Sequence, residues 1–360
     1  FQMTAIQPKL KKQLGNDGTY VVGLSHDGGS ALACSTTANE VTILDILSNQ
    51  VIHKHCIEAE IVGISFVNQV LYFLDEKLNV HQVDRRSIAY PSCKQLTIPL
   101  NFDQVDGVTA CAFNENYLAF ATRSTTESAG DSIANQTGES DDDDDEEDAK
   151  NPIWVFDMRS MDKVLVETDA HSDMVSSLAF KGNLLISGGV DGLVNVIDPA
   201  AAEEESVIAT VPIDSTIDRV GVFNMKNSDI LYVTTDDFRW NLLKMNSSED
   251  IDNVLSRRVR KERKLVDMVG LPREDYPVAT VEYNMDDSRM YLIGSSLDGT
   301  KSSIIGEYDF HKGLPRVAKF VDGTLFTGGE DGFVAGFPVE LRDADGKTLK
   351  ERFKSRAHPY

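Results

Sequence analysis

The chain lacks most of the features that mark secreted, membrane-spanning or DNA-binding proteins. Among 360 residues there are only four cysteines, Cys34, Cys56, Cys93 and Cys111, with no CxxC pair. Neither a disulfide framework nor a zinc-finger spacing is therefore available. The thiols are expected to be reduced, in a cytoplasmic or nuclear protein, and the sequons at Asn135 and Asn246 then carry no meaning. No apolar run approaches the length needed to cross a bilayer, and no leader is expected ahead of the first patterned segment. Positive charge is also scarce: 35 Lys and Arg stand against 58 Asp and Glu, a formal net charge of −23. Ten of the acidic residues, and no basic ones, lie between Asp131 and Asp148, which leaves −13 on the remainder. Duplex DNA needs clustered Lys and Arg, so direct nucleic-acid binding is not expected of this surface. GxSxG, HExxH, GxGxxG and Walker patterns are all missing, so no enzyme activity and no cofactor are expected.

What is present is repetition. The clearest unit runs Met174–Phe180, Leu184–Gly192 and Leu193–Asp198, three short strands with period-2 patterning separated by Lys181-Gly182-Asn183 and Asp191-Gly192. The pattern returns at Phe320, Leu325–Gly332 and Phe333–Pro338; Phe180 to Asp191 and Phe320 to Asp331 are both 11 residues. An aromatic ends each predicted first strand, at Phe66, Phe113, Phe180, Phe223, Tyr283 and Phe320. A predicted third strand ends at Leu44-Asp45, Val83-Asp84, Phe156-Asp157, Ile197-Asp198, Leu243-Lys244, Tyr308-Asp309 and Phe337-Pro338. Seven third strands predict seven blades. A lone four-stranded sheet leaves faces and edges bare, whereas a closed ring of such sheets buries them. The fold class is thus all-β, a seven-bladed β-propeller. No fourth strand is readable after Phe337, so residues around Thr4–Lys12 are expected to supply it and lock the last blade to the first.

The units Ser187–Asp198 and Thr327–Gly332 resemble WD repeats. The resemblance implies a hydrogen-bonded turn network of Asp, His, Ser or Thr, and Trp in each repeat, and a protein whose role is interaction. Blade four matches at His171, Ser187 and Asp191, with Ile197 where Trp would stand; blade seven matches at Thr327 and Asp331, with Phe337 for Trp and no matching His. Phe1-Gln2 before Met3 is read as a tag remnant, residues 3–342 as the single propeller and 343–360 as a basic C-terminal tail.

Blade spacing marks two excess segments. Residues 124–150 end in Asp141, Asp142, Asp143, Asp144, Asp145, Glu146, Glu147 and Asp148; adjacent carboxylates repel and bury nothing, so a disordered acidic loop between the second and third strands of blade three is expected. It is either a solvated loop or bait for a basic partner such as a histone tail or ribosomal protein. Residues 247–276 are expected to link blades five and six and contain six basic residues in the eight from Arg257 to Lys264. No aromatic interleaves them for base stacking, so solvated charge is the expectation. His53 and His55 face one way on an outer strand but have no second cluster at ligand spacing, so no metal is expected. The partner-binding rim is expected where the loops before first strands meet the turns between second and third strands. By register that rim comprises Glu60, Asp106, Asp173, Met174, Val190, Asp218, Arg219, Tyr276 and Glu330, a mixture suited to a basic peptide with an aliphatic anchor. Other proteins, basic peptides and histones among them, are the expected partners of a monomeric scaffold without membrane contact.

Overall fold

The computed structural model describes residues 6–15, 18–86, 93–100, 105–124, 151–225 and 228–339. Its first strand, β1 (Leu10–Gln13), belongs to the last blade. Blade one is β2 (Val21–His26), β3 (Ala31–Thr36), β4 (Glu40–Asp45) and β5 (Gln50–Cys56); blade two is β6 (Ile61–Val67), β7 (Val70–Asp75), β8 (Asn79–Asp84) and β9 (Cys93–Thr97). Blade three follows as β10 (Val105–Phe113), β11 (Tyr117–Ser124), β12 (Ile153–Asp157) and β13 (Lys163–Glu167). Blade four is β14 (Val175–Lys181), β15 (Leu184–Gly189), β16 (Leu193–Ile197) and β17 (Val207–Pro212). Blade five is β18 (Ile217–Met225), β19 (Ser228–Thr235), β20 (Arg239–Met245) and β21 (Ile251–Arg258). Blade six is β22 (Arg263–Gly270), β23 (Val278–Asn284), β24 (Arg289–Ser295) and β25 (Ser302–Tyr308). Blade seven is β26 (Pro315–Val321), β27 (Thr324–Gly329), β28 (Phe333–Pro338) and, outermost, β1. Every sheet is antiparallel, six as meanders and the seventh completed by β1, and the predicted all-β seven-bladed propeller is the observed fold.

Closure is by the N-terminal strand, as expected. Leu10 pairs with Gly336 and Gln13 with Phe333, and Leu10 and Leu14 bury their side chains in the blade seven–blade one core. Just before this strand the Ile6 amide donates to Glu307 O at 2.8 Å, touching blade six as well.

The local chemistry explains the two recurring markers. The Asp that ends a third strand closes the next turn with its own carboxylate. Asp45 Oδ1 accepts from the Leu47 and Ser48 amides, each at 2.9 Å, and Asp157 Oδ1 from Arg159 and Ser160 at 2.8 and 3.0 Å. The Gly-Gly pairs serve close packing: a Cβ on Gly188 would sit 2.7 Å from Ile217 and Val220 of blade five. One on Gly189 would sit 2.5 Å from His171 Nδ1.

Blade six corrects the sequence reading. Tyr283 ends its second strand and Tyr308 its fourth, one strand later than expected. Residues 247–276 are therefore no insertion: they contain β21 and β22, and the basic run spans the end of one and the start of the other. The long interval between Lys244 and Asp309 measured a third strand against a fourth. The signal failed because β22 carries Arg263, Lys264 and Asp267 where an apolar alternation was sought. Phe1-Gln2, the acidic segment beyond Ser124 and the tail 343–360 lie outside the described residues.

Candidate functional site

Strand direction divides the connections between two faces. Loops entering the first strands and turns joining second to third strands emerge on one face, and a repeated backbone bond ties them together. Val190 N donates to Met174 O at 2.9 Å, Glu76 N to Glu60 O at 2.9 Å, Asp236 N to Thr216 O at 3.1 Å and Glu330 N to Leu314 O at 3.0 Å. This gives the face a stiff floor of paired loops in blades two, four, five and seven.

Of the expected rim residues, Glu60, Asp173 and Asp218 lie on this face with exposed side chains, and Met174, Val190 and Glu330 are half-buried beside them. Asp106 lies at the same end of β10, its side chain outside the described residues. Three readings change. Glu330 is not a free carboxylate, because Arg316 Nε donates to its Oε1 at 2.8 Å. Tyr276 sits between β22 and β23, which puts it on the opposite face, 5.2 Å beneath the Arg273 guanidinium; this follows from the one-strand register error. Arg219 points into the central channel, where its Nη1 meets Asp267 Oδ2 at 2.5 Å, and that carboxylate holds the guanidinium pKa well above its usual value. Arg123, exposed at the end of β11, reaches Met174 Sδ at 2.8 Å and adds a cation to the rim that the sequence did not flag.

The channel is a cavity of about 630 Å³ lined by the innermost strands, among them Gly23, Gly63, Cys111, Arg219, Asp267 and Lys319. Burial pushes the Cys111 thiol up to about 12, which favours its protonated form.

The turn network looks catalytic on paper. In blade four His171 Nε2 is 2.8 Å from Ser187 Oγ and Nδ1 is 3.1 Å from Asp191 Oδ1. Blade seven repeats it: His311 Nε2 lies 2.7 Å from Thr327 Oγ1 and Nδ1 3.0 Å from Asp331 Oδ1. Ser187 and Thr327 are both 0% exposed, so no substrate carbonyl can reach either hydroxyl. Both networks fasten an entering loop to a turn. The histidine thought missing from blade seven is His311, twenty residues before Asp331, as His171 is before Asp191. In place of the absent Trp contact, Asn195 Nδ2 bonds Ala170 O at 2.5 Å and approaches His171 Nε2 at 3.3 Å.

The metal expectation also changes: His55 comes together with His81 and Cys93 of the next blade, their ligand atoms all within 4.8 Å of one another. The strand pattern showed His55 but could not show which neighbouring strand faces it.

No protein-family model matches the chain. Its fold is similar to solved propellers at low identity. A chain of a mitotic checkpoint complex aligns with TM-score 0.67 and 14% identity, over 94% of both chains. The β-propeller domain of Myceliophteria thermophila Cps50 (Swd1) aligns with TM-score 0.65 and 14% identity, over 92% of this chain and 99% of that one. Chaetomium thermophilum Raptor aligns with TM-score 0.68 and 11% identity, over 94% of this chain and 29% of that one.

Proposed function

We propose that the protein is a non-catalytic scaffold of the cytoplasm or nucleus, whose loop-paired face captures a basic segment of a partner protein. The observation that carries this reading is that exposed carboxylates Asp173 and Asp218 of neighbouring blades, and Glu60 two blades away, share one face with half-buried Met174 and Val190. Carboxylates around an apolar centre suit a cationic peptide that inserts one aliphatic side chain. β11 ends and β12 begins at that same face, so the acidic segment 125–150 departs from it, which favours a second reading as an acidic chaperone for histones or ribosomal proteins. One of the similar solved propellers is a chain of a mitotic checkpoint complex, and the shared fold is compatible with a platform role here. The order of features along the chain is similar to that of WD repeat-containing protein 89, and membership of that group is part of the proposal.

The test is affinity capture with Asp173→Arg/Asp218→Arg against wild type, in full-length protein. Loss of the same partners from both salt-washed and unwashed captures supports the rim; unchanged capture retires it. If deletion of 131–148 alone removes basic partners while the rim variant retains them, the chaperone reading stands instead.

A further inference from the structure

The outer seam between neighbouring blades recurs around the ring. The end of one outer strand meets the start of the next: Glu167 of blade three accepts from Ser206 Oγ beside β17. Arg257 of blade five bonds Gly299 O ahead of β25. Between blades one and two the same seam is made differently. His55, near the end of β5, faces Cys93 at the start of β9 and His81 on β8. Among the described residues His55 makes only ring contacts, with His53, Phe73 and His81.

The arrangement has the parts of a metal centre. Cys93 Sγ and His81 Nδ1 are 3.8 Å apart. A tetrahedral zinc ion with Zn–S of about 2.3 Å and Zn–N of about 2.0 Å holds such a pair about 3.5 Å apart. The third ligand atom lies within 4.8 Å of the other two, and a bound ion would require the half-buried His55 ring to turn toward them. His81 is already oriented from behind: its Nε2 is 2.9 Å from Asp75 Oδ2, and Asp75 is 2% exposed and fixed by the Asn79 amide at 2.8 Å. A carboxylate on the far nitrogen of a ligating histidine is the usual outer-shell support of a zinc site. Phe73 stacks on His81 at 4.6 Å with a 3° interplanar angle, giving the ring an apolar wall and one orientation.

We infer that His55, His81 and Cys93 bind a zinc ion that staples the outer strands of blades one and two, its fourth position open to water. Two imidazoles and one thiolate suit borderline-soft divalent ions, and zinc imposes no geometry of its own on a seam between two sheets. Binding releases the Cys93 thiol proton to solvent.

The experiment uses the full chain stripped with chelator and titrated with Co²⁺, then with Zn²⁺. One equivalent of cobalt should bind with a thiolate-to-cobalt charge-transfer band and tetrahedral d–d bands, and zinc should displace it. Cys93→Ser should lose the charge-transfer band. His55→Ala should weaken binding by at least about 100-fold, since even an outer-shell loss costs such sites 10–100-fold. His55 lies on the outermost strand, so circular dichroism of that variant should match wild type. A cobalt spectrum without the sulfur band, undiminished affinity in His55→Ala, or failure of Zn²⁺ to displace the cobalt would each overturn the assignment.

Discussion

At the scale of single residues, the buried turn networks are where small changes matter most. His311 is 4% exposed and satisfies both Thr327 and Asp331. Replacing it with Ala strands the fully buried Thr327 hydroxyl, while half-buried Asp331 keeps the Lys312 and Phe333 amides, so His311→Ala should lower unfolding free energy by about 1–3 kcal/mol in urea titrations. An effect under about 0.5 kcal/mol, the range of ordinary surface changes, would mean the network is ornamental. The blade four histidine adds a pH dependence. Burial lowers the His171 pKa, and the nearby Asp191 only partly offsets this. Folded His171 therefore stays neutral at pH values where the unfolded chain, titrating near its ordinary value of about 6.5, takes up a proton. Stability should be level above that pH and fall below it, and His171→Gln should flatten this part of the curve in thermal melts at pH 5 to 8. His171, Ser187 and Asp191 were legible in the sequence because the spacing from turn to loop is regular. His311 obeys the same spacing, but Phe310-His311-Lys312 carries none of the local pattern that flanks His171, so sequence alone gives it no mark.

At the scale of the strand, the ring is closed by four residues. β1 contributes Leu10, and Leu14 follows it, both buried, with Leu14 N donating to Gly332 O at 2.9 Å. Burial of two leucines is worth about 3–6 kcal/mol, and removing them also exposes the β28 edge to other chains. Deletion of residues 1–14 should therefore lower the melting temperature by roughly 5 °C or more and raise light scattering at the same protein concentration. An unchanged melt would show that closure does not rest on this strand. Strand-level reading succeeded where the inner strand is apolar and the third strand ends in an Asx turn, and it failed in blade six for one physical reason. A propeller's innermost strand faces a channel, not a core, so β22 can place Asp267 where alternation predicts an apolar group. Tyr276 followed that slip onto the wrong face. The cross-blade cluster of His55, His81 and Cys93 was illegible for a different reason: blade twist decides which strands meet, and period-2 patterning is blind to twist.

At the scale of the whole molecule, the charge is unevenly held. Ten of the acidic residues sit between Asp131 and Asp148, in a segment rooted at the rim face by β11 and β12. Those two strands pair directly, from Tyr117 against Asp157 to Ala121 against Ile153, and Thr122 N bonds Pro152 O at 3.1 Å beyond them. The hairpin is therefore closed without help from the segment it carries. Deleting 131–148 should leave the melting temperature within about 2 °C, since the pairing of β11 with β12 is complete without it. Binding of a basic peptide should respond quite differently. Salt at 0.15 M confines the field of exposed charges to about 8 Å, so a run of ten acidic residues should speed capture of a basic peptide more than it tightens the final complex. Stopped-flow association with a Lys-rich peptide should slow by an order of magnitude or so on deletion at low salt. Wild type and deletion should then converge as salt rises, while dissociation rates stay alike. Equal association rates at low salt would leave the segment with no part in capture, and the rim carboxylates would have to act alone.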